Sequence, residues 1–507
     1  MTLKCHFFSL FLNYMKESLK LERNEPAADV LSKSIRSMGY SLESAIADVI
    51  DNSISAGAHD VQVKFPVDPS DVYIAICDNG SGMNKAELFD AMKYGSVLKG
   101  DNRSESDLGR FGMGLKSASH SQCRRLTVIS KKSDMISGYV WDLDLVDEKK
   151  DWIMINLSEN QVCDVRHYDY LSNKKSGTVV VWENFDFIRK ETGDEYAGIV
   201  DQQNAVSDYL SLIFHRFLSK DKKDRLSIKV NNFSLIPFDP FLESHKKTTV
   251  RKEITLPIED ANGVERKITA IPYVLPFQKD LSEDDKKLSG GIENYRTKQG
   301  YYIYRNERLI VWGTWFNRHR DELSKYARVK VDIPNTLDDI WGIDIKKQSA
   351  KIPASIRQRL NRAVDDVMDV AVKKQTYRGR IAKVNDDFEY VWNRIDNRGN
   401  FVYSINRESS LFKLLESKVN EDAMPYVEMV LKEIEQNVPF QQIYVDKSQD
   451  KIDEVVSDER IAEITENAKM MVQMVMELNS SLTREEAVEN VFKKEPFCKH
   501  PEIKEKV

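Results

Sequence analysis

Three glycines in six residues, Gly109, Gly112 and Gly114, open a helical pattern in the run Gly109-Arg110-Phe111-Gly112-Met113-Gly114-Leu115-Lys116-Ser117. No other stretch limits the fold so sharply. A backbone without Cβ at three points can turn tightly and bring several amide N–H groups toward one place. Amides at such a turn, and at the helix N-terminus that follows it, bind phosphate oxygens without help from side chains. A dinucleotide-binding loop has a similar glycine content, but it follows a strand directly within a βαβ unit. Here the preceding residues, Gly95 to Arg110, are polar and read as a mobile loop. The doubly wound dinucleotide fold is set aside on that ground.

Two further clusters lie upstream. In Ala47-Asp48-Val49-Ile50-Asp51-Asn52-Ser53, Asp48 and Asn52 are four residues apart within a helical pattern and share one face. A carboxylate poised over a water and a carboxamide oxygen on a magnesium ion are what phosphoanhydride hydrolysis needs. The competing reading is a solvated polar helix face. The second cluster, Asp78-Asn79-Gly80-Ser81-Gly82-Met83, follows a hydrophobic strand directly. An aspartate at a strand end can accept a hydrogen bond from an exocyclic amine, and the glycines admit a flat ring close to the backbone. A plain Asp-Gly turn explains the same residues equally well.

At 507 residues the chain is long enough for about three to four units. Charged residues make up 31% and the net charge is −6, so no global basic surface drives nucleic-acid binding, and any DNA contact must be a local patch. The five cysteines are scattered without a CxxC pair, which argues against a disulfide framework or a zinc site and for a reducing cytoplasm. The apolar HFFSLFLNYM run near the start lacks a signal-peptide cleavage site and is too short to span a bilayer. Residues 1–14 read as an over-extended gene start, within an N-terminal extension of 1–26.

Helical periodicity runs through 27–56, broken at Gly39, and through 85–94 and 197–220. Strand patterns occupy 61–65, 72–78, 126–132, 137–146 and 177–185, bounded by Pro, Asp and Gly. An ATP-binding unit of 27–235 is expected. A second α/β unit of 247–375 follows, with strands in KEITLPI, KITAIPYVL, GYYIYRNERLIV and YARVKVDIP and a long helix over 352–374. Residues 376–507 read as mainly helical, with Trp392 and Tyr403 as core residues. The fold class is α+β.

Taken in order and spacing, the three clusters and the late strand Gly177-Thr178 resemble the motifs of the GHKL ATPases, the family of type II topoisomerases, heat-shock chaperones, histidine kinases and MutL and MORC proteins. The resemblance covers about residues 27–186. It implies a Bergerat α/β sandwich that binds ATP and Mg2+. Asp48 is then the base and Asn52 the metal ligand. Asp78 binds adenine, beside Gly80, Gly82 and Met83, and Thr178 supports the adenine pocket. The phosphate lid falls on Gly109, Arg110, Phe111, Gly112, Met113, Gly114, Leu115 and Lys116. The family usually has glutamate where this chain has Asp48, a difference of one methylene that implies slow hydrolysis.

Tyr94-Gly95-Ser96 with Lys99 is similar to bacterial MORC-like proteins, which makes Lys99 and Lys116 phosphate contacts. GYYIYRNERLIVWG, ARVKVDIP and WGIDIKKQSAKIP are similar to the ribosomal-protein-like transducer domain of that family, in which a lysine reaches the terminal phosphate. Lys347 takes that role here, with Lys346 or Lys351 as alternatives. The resemblance implies an ATP-dependent homodimer acting in DNA transactions, with operon-encoded partners in restriction-modification or phage defence. A chaperone and a nucleotide-gated scaffold are the alternatives from other classes. No histidine sits in a phospho-acceptor helix, which argues against a histidine kinase.

Overall fold

The structure, a computed structural model, describes residues 26–37, 39–94, 114–221, 224–291, 293–316, 324–343, 351–362, 365, 380–381, 389–397, 400–448, 458–479 and 481–507. The chain divides into two compact units, Met1–Ala371 and Val372–Val507.

The first unit contains two sheets. Its helices begin with α1 (Ala28–Arg36) and α2 (Leu42–Ser55), and Gly39 between them takes a φ of +69°. They continue with α3 (Lys85–Met92), α4 (Gly114–Gln122), α5 (Leu143–Lys149), α6 (Glu159–Cys163), α7 (Tyr168–Ser172), α8 (Asp186–Thr192), α9 (Glu195–Ile213) and α10 (His215–Leu218). The first sheet has eight strands, β1 (Asp60–Lys64), β2 (Ile74–Asp78), β3 (Arg125–Lys132), β4 (Met135–Asp142), β5 (Ile155–Asn156), β6 (Gly177–Glu183), β7 (Ser227–Val230) and β8 (Phe233–Ser234). Their order is β5-β4-β3-β6-β2-β1-β7-β8. The β1–β7 pair is parallel and the other neighbours are antiparallel.

Strand alternation sorts the apolar residues onto two faces. Val61, Val63, Ile74, Ile76, Leu126, Val128, Val180 and Trp182 face one core with α2 and α9. Ala75, Cys77, Ile129, Val179 and Val181 face the other, which α6 and α7 cover through Val162 and Leu171. Helix α2 is buried almost all round, so its acids Asp48 and Asp51 lie in the core together with Ala45, Ile46, Val49 and Ile50.

Residues 137–146 differ from the expected strand. The strand ends at Asp142, whose carboxylate accepts from the Asp144 and Leu145 N–H groups and starts α5. An aspartate N-cap overrides the apolar pattern of Leu143, Leu145 and Val146.

The second sheet is built from β9 (Thr249–Val250), β10 (Ile254–Glu259), β11 (Glu265–Val274), β12 (Gly300–Arg305), β13 (Arg308–Thr314) and β14 (Ala327–Ile333). Its order is β10-β11-β14-β12-β13, with β9 on β11. GYYIYRNERLIV, expected as one strand, is a hairpin. Asn306 and Glu307 form its turn with φ of +47° and +68°, the pair of left-handed residues that a tight two-residue hairpin turn demands.

That hairpin tip docks on the first sheet's helices. Tyr302, Tyr304 and Leu309 share the core that contains α2 and α9. His215 Nε2 and Tyr304 OH lie 2.7 Å apart, Glu307 pairs with Lys220 at 2.5 Å, and Asp332 on β14 accepts from Arg216. On the other side of the turn, Arg305 makes a two-pronged bond to Asp338, 2.7 Å from Nε and 2.8 Å from Nη2, with both side chains buried. The long helix expected from 352 is present over 354–362, and its expected continuation lies outside the described residues.

The second unit has a three-stranded sheet, β15 (Arg380–Ile381), β16 (Trp392–Asn397) and β17 (Asn400–Ile405). Five helices follow: α11 (Ser410–Lys418), α12 (Met424–Gln436), α13 (Phe440–Ser448), α14 (Asp458–Leu478) and α15 (Arg484–Phe492). Its core is Ile464, Ala468, Met471, Val472, Ala487, Val491 and Phe497. Tyr403 is not a core residue; it is exposed, with its ring 5.6 Å from that of Phe440, and Trp392 is half-buried. Its strand neighbour Val402, which points to the opposite face, is exposed as well, so this small sheet leaves both faces partly uncovered there. Among the described residues no helix is long and apolar enough to cross a membrane.

The Arg305–Asp338 pair gives a direct test of how the turn is held. Asp338→Ala leaves an enclosed guanidinium without its carboxylate, and is expected to lower the unfolding free energy by about 3–5 kcal/mol in urea titration. A loss below about 1 kcal/mol would show that the pair carries no more than an exposed one.

Candidate functional site

The C-terminal half of α2 and the end of β2 meet at one point. Asp78, the last residue of β2, is buried and sits opposite Thr178 of β6 in the strand register. Its Oδ1 accepts from the Gly80 N–H at 2.9 Å, and its Oδ2 accepts from the Ser53 hydroxyl of α2 at 2.9 Å. Burial raises the Asp78 pKa, and the bonds from Gly80, Ser53 and the Thr178 N–H pull it back down. The result is a carboxylate whose orientation is fixed from two sides.

The turn after β2 is held equally closely. The Ser81 N–H donates to the Ala56 carbonyl and the Ser176 hydroxyl donates to the Gly80 carbonyl. The Met83 N–H donates to Ser130 Oγ at 2.9 Å, and Ser130 Oγ is also 2.9 Å from Thr178 Oγ1. Gly82 has a φ of +63°, and a Cβ there would stand 1.9 Å from the Lys131 carbonyl oxygen. At Gly80 a Cβ would meet the Ala56 Cβ at 2.9 Å. Both glycines are therefore required by backbone packing, independently of any ligand. Asn84 then starts α3 with a reciprocal cap, accepting from the Ala86 and Glu87 N–H groups while Glu87 accepts from its own N–H.

Asp48 and Asn52, one turn apart on α2, have different surroundings. Asn52 is exposed at the helix end nearest Asp78. Asp48 is only 1% exposed. Its Oδ2 accepts from the Tyr40 hydroxyl at 3.0 Å and its Oδ1 stands 3.6 Å from Arg308 Nη2. Arg308, the first residue of β13, also bonds Asp51 at 2.8 Å. A carboxylate held by a phenol and a guanidinium stays in place but is shielded, which a free general base is not. Among the described residues there is no group of three or more metal-binding side chains.

Gly114 and Leu115 are half-buried at the start of α4, which packs on α2. Lys116 is buried, and its ammonium donates to the Ala91 carbonyl of α3 at 2.9 Å. Burial lowers its pKa to about 8. In this structure Lys116 thus serves the end of α3.

The structure therefore brings together Asp48, Asn52, Asp78, Gly80, Gly82, Met83 and Thr178, with Gly114, Leu115 and Lys116 on the adjoining helix. Lys99, Gly109, Arg110, Phe111, Gly112, Met113, Lys346 and Lys347 lie outside the described residues. Lys351 is exposed, and its N–H donates to the Trp341 carbonyl. Sequence reasoning passed over Ser53, Ser130, Tyr40 and Arg308. Ser130 follows the apolar pair Val128 and Ile129 on β3 and is fully buried, a signal that could have been noticed.

Comparison with known proteins gives a family match over the same stretch of chain. Residues 40–178 match the family model described as histidine kinase-, DNA gyrase B- and HSP90-like ATPase. The chain is 32% identical over 95 residues to the ATPase morc-1 of Caenorhabditis elegans, covering 19% of this chain and 11% of that protein. It is also 32% identical over 107 residues to the chaperone protein HtpG of Rickettsia canadensis (strain McKiel), covering 19% of this chain and 17% of that protein. The chain thus matches only a small part of either relative's length.

Two outcomes are expected from the site's packing. Gly57 has a φ of +72° with nothing within 4 Å of its would-be Cβ, so Gly57→Ala should cost about 1–2 kcal/mol for the left-handed conformation alone. Gly82→Ala should cost at least about 2 kcal/mol more in the same denaturation assay, because a backbone oxygen must move; equal losses would refute the close contact.

Lys116 supplies a pH signature. The folded chain, titrating near 8, binds this proton less tightly than an unfolded chain with the ordinary value of 10.5. Between those limits the unfolded state carries more protons, so this group makes stability rise with pH. Wild type should accordingly gain stability relative to Lys116→Met from pH 8 to 10.5, and parallel curves would count against the burial of its charge.

Proposed function

We propose, from the match of residues 40–178 to the histidine kinase-, DNA gyrase B- and HSP90-like ATPase family model, that this chain binds ATP with magnesium and hydrolyses it slowly. The observation that carries this reading is Asp78. A buried carboxylate clamped by Ser53 and Gly80, with Thr178 and Ser130 beside it, is built to receive a donor such as the adenine amine at a fixed angle. A single exposed amide, Asn52, suits a magnesium ion that draws most of its ligands from phosphate and water. The bound metal would neutralise phosphate charge.

The chain's own residues then divide the work. Asp78 orients the base, and Gly80, Gly82 and Met83 hold the turn against it. Asp48 orients water and accepts its proton at a carboxylate oxygen. The segment Gly109, Arg110, Phe111, Gly112, Met113 and Gly114, with Leu115 and Lys99, grips the phosphates, joined by Lys116 once its ammonium leaves the Ala91 carbonyl, and Lys347 reaches the terminal one. We propose further that nucleotide binding drives a conformational change and homodimerisation, released by hydrolysis, and that the output is a DNA transaction, as in restriction-modification or phage defence, with operon-encoded partners. The similarity to the ATPase morc-1 supports the ATPase part of this reading.

A nucleotide-gated scaffold is the second reading, and the shielding of Asp48 by Tyr40 and Arg308 favours it. Calorimetry and turnover assays separate the two. Asp78→Asn should weaken ATP binding by about 10–100-fold, the worth of a bond to a charged group. Asp48→Ala should keep ATP affinity and lose turnover by on the order of 100-fold; unchanged turnover would leave the scaffold. Stimulation by duplex DNA that fades over a salt series is expected from the DNA reading, and no binding at low salt would remove it.

A further inference from the structure

The roles assigned above make no use of the buried cation Arg308 beyond its contact with Asp48. Arg308 is completely enclosed, and 257 residues separate it from the acid it bonds. Its Nε donates to Asp51 at 2.8 Å, its Nη2 stands 3.6 Å from Asp48 Oδ1, and the Phe214 ring centre lies 5.8 Å from its guanidinium carbon. The side chain is delivered by the two-residue turn of the β12–β13 hairpin, and that turn is itself pinned. Glu307 pairs with Lys220 at 2.5 Å, and the Tyr304 hydroxyl lies 2.7 Å from His215 Nε2.

Enclosing a guanidinium and two carboxylates gains little stability, because apolar side chains of the same volume pack at least as well. An ion pair adds direction. The planar fork of arginine fixes a carboxylate in orientation as well as in place. Asp48 has two such fixed neighbours, the Tyr40 hydroxyl and Arg308. Asp51 lies three residues on, so without Arg308 two like-charged groups would share a dry helix face.

We infer that Arg308 is a positioning residue for hydrolysis: a strand of the second sheet holds Asp51 and orients the carboxylate of Asp48, so that a movement of that sheet is felt at the base. This inference rests on the ATPase reading above and extends it to regulation of the same site. Arg308 touches no reacting atom. Its effect is transmitted through the two aspartates.

Arg308→Met and Arg308→Lys in the full chain test it. In Arg308→Met, kcat for ATP is expected to fall about tenfold or more while KM and the ATP Kd stay within about threefold of wild type. Arg308→Lys keeps the charge, loses the fork and should recover part of kcat; it carries the test alone if Arg308→Met does not fold. In nucleotide-free protein, hydrogen exchange of the amides in 48–55 should accelerate in Arg308→Met while β2 and β6 keep their protection. An unchanged kcat, or kcat and KM changing together with faster exchange across β2 and β6, would overturn the inference and leave Arg308 a packing residue. A wild type without magnesium-dependent turnover would overturn the ATPase reading and this inference with it, whereas normal turnover in both wild type and Arg308→Met removes the inference alone.

Discussion

The bond between Arg308 and Asp51 is the contact on which the first unit turns. It joins the hairpin tip of one sheet to the helix that carries the candidate base and metal ligand, and it does so where every group is out of water. Charges in such a place are held by geometry and by few alternatives. Helix α2 cannot rotate or slide without breaking that bond, and the hairpin cannot withdraw without uncovering two acids. The sheets share apolar core as well, through Tyr302, Tyr304 and Leu309, but apolar contact tolerates small slips that a bonded guanidinium does not.

Two residues further along α2 the constraints are of a different kind. Ser53 ties the helix to Asp78, and the turn after β2 is pressed so tightly on its neighbours that two of its residues have no room for a side chain. The Asp78 end of the candidate site is thus set by backbone packing and hydrogen bonds, and the Asp48 end by buried charge. One helix spans both, which places Asn52 between a rigid wall and a lever.

Much of this was legible in the residues. Helix α2 and strands β2, β3 and β6 stand out as apolar runs bounded by turn residues, because each is buried on nearly every side. Asp48, Asn52, Asp78 and Thr178 stood out because their chemistry recurs at motif spacing. The rest was hidden for physical reasons. Asn306 and Glu307 turn a hairpin without the glycine that usually marks one, so two strands looked like one. Asp142 reverses an apolar run into a helix through a single cap. Ser53 and Ser130 act through position and not through pattern. The partnership of Arg308 with Asp48 and Asp51 has no local signature at all, since folding alone brings those segments together. Tyr403, an aromatic beside basic residues, looked like core and lies at the surface.

The eight-stranded sheet ends in β5 and β8, each two residues long. An outer strand that short offers a foreign chain almost no row of unpaired amides to copy. The unit that carries the candidate site can therefore stand open to solvent without inviting strand-by-strand polymerisation.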